Sequence, residues 1–87
     1  MSTAVVIRIK YFASIRETLG LGQESVSTTA ATLADLRAEL FARGGAYAEA
    51  LAPQRAVRMA LNQVLSEDSA VLAAGAEVAF FPPVTGG

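Results

Sequence analysis

The strongest constraint on the fold is one amphipathic helix near the middle of an 87-residue chain, with strand-like segments on both sides. The hydroxyl of Thr32 can cap the helix, and Asp35 at the third helical position completes a capping-box pattern. Its apolar stripe consists of Leu33, Leu36, Leu40 and Phe41. Gly44-Gly45 predicts its end. A helix with one apolar stripe is expected to cover one face of a sheet.

Alternating and β-branched segments predict the strands of that sheet. The predicted strands are residues 5–12, 23–28, 56–61, 64–65 and 76–81, with a tight turn at Asn62-Gln63. Shorter helices are predicted at residues 13–19, ended by Gly20, and at residues 46–52, before Pro53. This order predicts an α+β chain with the β-grasp layout, in which about five strands form a mixed sheet under one main helix. We expect one domain over residues 1–87, with residues 82–87 as an extended C-terminal tail.

The composition excludes several kinds of chemistry. Without Cys or His, the chain has no disulfide, thiol nucleophile or Cys-based zinc site, and we expect it to bind no metal. A net charge of −1 argues against nucleic acid as a partner. No signal peptide and no apolar run of membrane-spanning length is present, so we expect no membrane partner and a cytoplasmic protein.

The last residues of the sequence suggest a projecting tail. Pro82 and Pro83 end the last strand and favour an extended chain, because each fixes φ and restricts the residue before it. Beyond them, residues 84–87 would extend roughly 13 Å. A segment that ends in two glycines is slender enough to enter a narrow channel in a partner. A frayed terminus without function is the alternative at this point.

Alternation also predicts an exposed patch on the sheet face opposite the core. Phe12 falls on the same face as Arg8 and Lys10, whereas Ile7 and Ile9 fall on the core face. Exposed apolar patches usually mark protein contacts. We therefore predict a partner-binding surface made of Phe12, Leu65 and Phe81 and rimmed by Arg8, Lys10 and Arg58. Arg16 and Glu17 are interpreted as a solvated ion pair or a helix cap.

Four segments carry a resemblance to a known family. Residues 11–17 (YFASIRE), 33–37 (LADLR), 60–63 (ALNQ) and 77–87 (EVAFFPPVTGG) resemble the small subunit of molybdopterin synthase. The resemblance covers nearly the whole chain, and its most specific part is the closing FFPPVTGG. A short N-terminal extension and a high alanine content depart from the family. The resemblance implies a ubiquitin-like β-grasp sulfur carrier.

The resemblance also implies a division of labour between this chain and its partners. An adenylating and sulfurating enzyme would use ATP to activate the carboxyl group of Gly87 and convert it to a thiocarboxylate. The tail residues Pro82, Pro83, Val84, Thr85 and Gly86 would carry it into the large synthase subunit, where the catalytic groups lie. This chain would be a non-catalytic, sulfur-donating subunit that binds no cofactor itself. Two small and two large subunits would form a heterotetramer.

Three other functions are consistent with a Gly-Gly end. The chain could be the sulfur carrier of another pathway, that of the thiamine thiazole, although such carriers are typically shorter and lack the FFPP segment before the tail. It could be a ubiquitin-like modifier that joins Gly87 to lysines of target proteins. It could also be an interaction domain whose tail is inert.

Overall fold

The structure is a computed structural model that describes residues 3–83. Its elements are β1 (Val5–Tyr11), α1 (Ala13–Leu19), β2 (Gln23–Thr28), α2 (Leu33–Phe41), α3 (Gly45–Leu51), β3 (Arg58–Leu61), β4 (Val64–Ser66) and β5 (Glu77–Phe81). All five strands join one mixed sheet with the order β2-β1-β5-β3-β4. The α+β, β-grasp expectation is confirmed. The two shorter helices accompany the main helix α2: α1 has the predicted bounds, and α3 lies one residue earlier than predicted.

The first and last strands lie side by side and hold the sheet together. β1 pairs in parallel with β5, with Tyr11 opposite Phe80. β2 pairs antiparallel with β1, and β3 pairs antiparallel with β5, with Arg58 opposite Phe81. Because β5 ends at Phe81, residues 56–57 have no strand to pair with, and β3 begins two residues later than predicted.

One face of the sheet and all three helices enclose the core. The buried set includes Ile7, Ile9, Tyr11, Ile15, Leu33, Leu36, Leu40, Leu51, Val78 and Phe80. The hydroxyl of Thr32 accepts a hydrogen bond from the amide of Asp35 at 3.2 Å, as the cap pattern predicts. The prediction for Phe41 was wrong, since its side chain is 37% exposed. A helix turns about 100° per residue, which places residue 41 well off the stripe formed by Leu33, Leu36 and Leu40.

Backbone conformation accounts for two of the predicted turns. Gly20 ends α1 in the left-handed region with φ 73°, as expected for a glycine cap. Asn62 and Gln63 both have positive φ, 51° and 68°, which matches the two-residue hairpin turn whose twist suits antiparallel strands. The hairpin β3–β4 brings Leu65 opposite Ala60. In the described part of the chain, no helix has the length and apolar character needed to cross a bilayer.

The Asn62-Gln63 turn generates the first prediction. Gln63→Gly should raise the free energy of unfolding by about 0.5–1 kcal/mol, because glycine adopts positive φ without the Cβ clash that a left-handed residue suffers. Urea denaturation measures the change. Gln63→Ala is the control, since it keeps the Cβ and should give no such gain. A Gln63→Gly protein no more stable than Gln63→Ala would contradict this account of the turn.

Candidate functional site: the outer face of the sheet and the end of β5

The sheet face opposite the core is covered by none of the helices in residues 3–83. The helices contribute Ile15, Leu36 and Leu51 to the same core cluster as Ile7 and Val78, so they lie on one side of the sheet. Side chains alternate along each strand, and every second residue therefore points to the other side, here called the outer face. The outer face includes Arg8 and Lys10 of β1, Glu77, Ala79 and Phe81 of β5, Arg58 and Ala60 of β3, and Leu65 of β4.

Strand register brings the three predicted apolar residues onto this face. Phe12 follows the Tyr11–Phe80 pair, and its amide donates a hydrogen bond to the carbonyl of Phe80 at 3.1 Å, so Phe12 lies beside Phe81. Leu65 lies opposite Ala60, which in turn lies opposite Ala79. Phe12 is 45% exposed and Leu65 63% exposed, while Phe81 is half-buried. We call Phe12, Leu65 and Phe81 the apolar patch; its two small neighbours are Ala60 and Ala79.

The three predicted cations lie around this patch, but they are not equivalent. Arg58 is exposed and lies directly opposite Phe81. Lys10 lies opposite Ala79, and its ammonium nitrogen is 3.5 Å from a carboxylate oxygen of Glu77. Arg8 is exposed and faces the same Glu77 across the β1–β5 pair. Glu77, which sequence analysis did not single out, therefore adds a negative charge beside Arg8 and Lys10. Partner binding by these six residues stays a prediction.

The C-terminal segment leaves the sheet beside the apolar patch. Pro82 and Pro83 follow Phe81 directly and are half-buried. The parallel pairing of β5 with β1 places this exit at the end of β1 where Phe12 lies. Val84, Thr85, Gly86 and Gly87 lie outside the described residues, so the roles predicted for them stay predictions.

A left-handed residue lies where β1 passes into α1. Ala13 has φ 50°, a conformation that costs a residue with a Cβ roughly 1–2 kcal/mol. The amides of Ile15 and Arg16 both donate to the carbonyl of Phe12, at 3.2 and 3.3 Å. This sharp reversal leaves Phe12 exposed while Ile15, three residues later, enters the core. The residue type gave no signal of it, because alanine favours ordinary helical φ.

A polar cluster that sequence analysis missed lies beneath the same end of the sheet. One oxygen of Glu24 accepts hydrogen bonds from the hydroxyls of Tyr11 and Tyr47, each at 2.7 Å. Its other oxygen lies 3.4 Å from a guanidinium nitrogen of Arg43, which also stacks over the ring of Tyr47 at 4.9 Å. The cluster joins β1, β2 and α3. These residues are far apart in sequence, and only the tertiary fold brings them together.

Tyr11 connects that cluster to β5. Its ring stacks on Phe80, with centroids 6.0 Å apart and planes 14° apart. Burial, followed by the hydrogen bond to Glu24, raises the pKa of Tyr11 far above the ordinary value of a tyrosine. Burial and the same carboxylate also raise the pKa of Tyr47. Both hydroxyls therefore stay protonated as donors to Glu24 well above neutral pH.

These features define a class of protein: a small β-grasp domain with an exposed apolar sheet face beside its last strand. The sequence model of the ThiS family matches residues 9–87 of this chain. A curated relative from Escherichia coli, the molybdopterin synthase sulfur carrier subunit, is 38% identical over 82 residues, covering 94% of this chain and 100% of the relative. A protein of the same name from Haemophilus influenzae is 34% identical over 82 residues, which again cover 94% of this chain and 100% of the relative. The chain belongs to the ThiS family.

Solved structures agree with this assignment. SAMP1 from Haloferax volcanii superimposes with a TM-score of 0.73 at 27% identity, covering 94% of this chain and 99% of that chain. A complex of subunits 1 and 2 of the molybdopterin-converting factor from Helicobacter pylori contains a chain similar to this one, with a TM-score of 0.62 and 26% identity, covering 95% of this chain and 100% of that chain.

The buried Tyr11 hydroxyl generates a prediction about pH. In the unfolded chain Tyr11 loses its proton near pH 10, about its ordinary pKa, whereas in the folded chain it keeps it. Ionisation then favours the unfolded state, so stability that is present below about pH 10 is lost as the pH rises further. Tyr11→Phe should be less stable at neutral pH, by about 1–2 kcal/mol, because the hydrogen bond to Glu24 is gone.

Chemical denaturation at about pH 8 and about pH 11 measures both effects. The wild-type protein should lose more stability over this interval than Tyr11→Phe. Tyr47→Phe, which removes the less buried hydroxyl of the cluster, is the matched control and should keep most of the wild-type pH dependence. Identical pH dependence in the wild type and Tyr11→Phe would contradict the account of the cluster.

Proposed function

We propose that this chain is the sulfur carrier subunit of molybdopterin synthase and that Gly87 carries the sulfur as a thiocarboxylate. One observation supports the proposal most strongly: β5 ends at Phe81, a member of the apolar patch, and the chain continues directly into Pro82 and Pro83. A single partner can therefore cover the patch and receive the tail at the same time. The curated relatives carry this function in their names and align over their full length.

Activation of the carboxyl group is the first chemical step. A carboxylate is a poor electrophile, so an adenylating enzyme joins the Gly87 carboxylate to the α-phosphate of ATP and releases pyrophosphate. A sulfur nucleophile at the oxidation level of sulfide then attacks the acyl carbon, and the bond to AMP breaks. The product is a thiocarboxylate and AMP. The chain needs neither Cys nor His for these steps, because the adenylating enzyme supplies the catalytic groups and the sulfur comes from a separate donor.

Transfer of the sulfur is the second step. The thiocarboxylate is largely ionised at neutral pH, so its sulfur is already a nucleophile and needs no base on this chain. The large subunit holds the acceptor and the catalytic groups. The sulfur displaces an oxygen substituent of the acceptor and forms a thioester, and water then cleaves the bond between the acyl carbon and the sulfur, which returns Gly87 to the carboxylate. Two such transfers supply the two sulfurs of the dithiolene. The described residues bind the partner and orient the tail: the apolar patch contacts the large subunit, and Pro82 and Pro83 direct the tail. A heterotetramer of two small and two large subunits, located in the cytoplasm, fits this role.

The other functions raised by the Gly-Gly end have less support. A carrier for the thiamine thiazole and a ubiquitin-like modifier would both use the same activated Gly87. The names of the curated relatives favour neither. SAMP1, a structural neighbour, shares the fold, but a shared fold alone does not choose between these functions.

A single-turnover assay tests the role of Gly87. The chain carrying a C-terminal thiocarboxylate, mixed with the large subunit and its pterin precursor, should transfer its sulfur and return to the carboxylate form. The matched control is the same chain without Gly87, thiocarboxylated on Gly86, which should bind the large subunit but transfer sulfur far more slowly, because the reacting atom falls one residue, about 3.3–3.6 Å, short. Equal rates from the two chains would contradict the assignment.

The apolar patch gives a separate prediction about binding. Phe81→Ser should weaken binding to the large subunit at least about tenfold, because an aromatic anchor at the centre of an interface carries a large share of the binding energy. Phe12→Ser, at a more exposed position, should act in the same direction. Val64→Ser is the control: Val64 is 65% exposed but lies opposite Leu61, off the outer face. Calorimetry measures the affinity, and unchanged binding by Phe81→Ser would contradict the assignment.

A further inference from the structure

A cleft with an unpaired cation adjoins the apolar patch. It lies between α1 and the start of β2, and its lining consists of Lys10, Tyr11, Phe12, Arg16, Gly22 and Gln23. Phe12 is shared by this cleft and the apolar patch, so the two surfaces are continuous. A partner that covers the patch would reach the rim of the cleft.

The Arg16 side chain lies against Gly22. A Cβ built on Gly22 would lie 3.2 Å from Nε and 3.4 Å from Cζ of Arg16, so the guanidinium lies directly against this stretch of backbone. The same residue ties the start of β2 to β1, because its carbonyl accepts a hydrogen bond from the amide of Tyr11 at 2.9 Å. The Arg16 side chain therefore lies beside the β1–β2 pair.

The charges of the cleft are unbalanced. The two ion pairs within residues 3–83 join Lys10 to Glu77 and Arg43 to Glu24, and Arg16 takes part in neither. Of the two interpretations of Arg16 and Glu17, the ion pair is not formed, and Phe12 and Gly20 occupy the cap positions of α1 instead. The hydroxyl of Tyr11 donates to Glu24 and is not available to the cleft. Within residues 3–83, the guanidinium of Arg16 in this cleft therefore has no ion pair with a carboxylate.

We propose that this cleft receives a carboxylate side chain of the large synthase subunit, with Arg16 as the residue that binds it. The planar guanidinium offers two parallel N–H donors, which match the two oxygens of a carboxylate. Covering Phe12 would remove water from the cleft and strengthen the pair. This inference rests on the proposed function, because it takes the large subunit as the partner that covers the outer face.

Charge and geometry can be tested separately. Arg16→Gln should weaken binding to the large subunit about fivefold and reduce the salt dependence of the affinity, as expected for loss of a charge pair at the edge of an interface. Arg16→Lys should keep part of the affinity. Arg55→Gln is the matched control, because it removes the same charge from an exposed position outside the cleft and the patch, and it should bind like the wild type.

Gly22→Ala gives the geometric test. Gly22 lacks the positive φ that would strain an alanine, and the added Cβ would shift the guanidinium by a few tenths of an ångström without changing any charge. It should weaken binding by a smaller factor than Arg16→Gln does. A double-mutant cycle then pairs Arg16→Gln with Asp→Asn and Glu→Gln changes on the large subunit, and one carboxylate should show coupling.

The outcomes separate this inference from the proposed function. Equal weakening by Arg16→Gln and Arg55→Gln, or no coupling to any carboxylate, would overturn the cleft assignment. If Phe81→Ser still weakens binding in that case, docking through the outer face stands and only the cleft falls. If Phe81→Ser and Arg16→Gln both bind like the wild type, the docking proposal falls and the cleft assignment falls with it.

Discussion

The parallel pairing of β1 with β5 is the interaction on which the rest of the structure depends. It joins the first and last strands at the centre of the sheet and buries Tyr11 and Phe80 side by side in the core. Because side chains alternate, the next residue of each segment, Phe12 and Phe81, lies on the opposite face. One register thus fixes the core, the apolar patch and the point where the tail leaves the sheet.

The polar cluster supports that pairing from below. Glu24 holds the hydroxyl of Tyr11, and Tyr11 stacks on Phe80, which directly precedes Phe81. A buried hydroxyl that lost its partner would be left unsatisfied, which costs more than the hydrogen bond itself contributes. The cluster therefore positions the ring of Tyr11 and, through it, the end of β5.

Local patterns in the sequence predicted what depends on short spacings. Period-two alternation placed Phe12, Leu65 and Phe81 on one face, and the Thr32 cap and Gly20 stop lie where the residue types indicated. Contacts between distant segments were beyond such reasoning. Glu24 meets Tyr11 and Tyr47 only through strand pairing and helix packing. The left-handed Ala13 had no residue-type signal at all.

The proposed function requires Gly87 to accept sulfur, and intact-protein mass spectrometry detects this change on the chain itself. The chain is incubated with ATP, a molybdopterin-type adenylating enzyme and sulfide, beside a chain that lacks Gly87. We expect a mass gain equal to the exchange of one oxygen for sulfur in the full chain and none in the shortened one. No gain in the full chain, with the same enzyme active on another carrier, would contradict it.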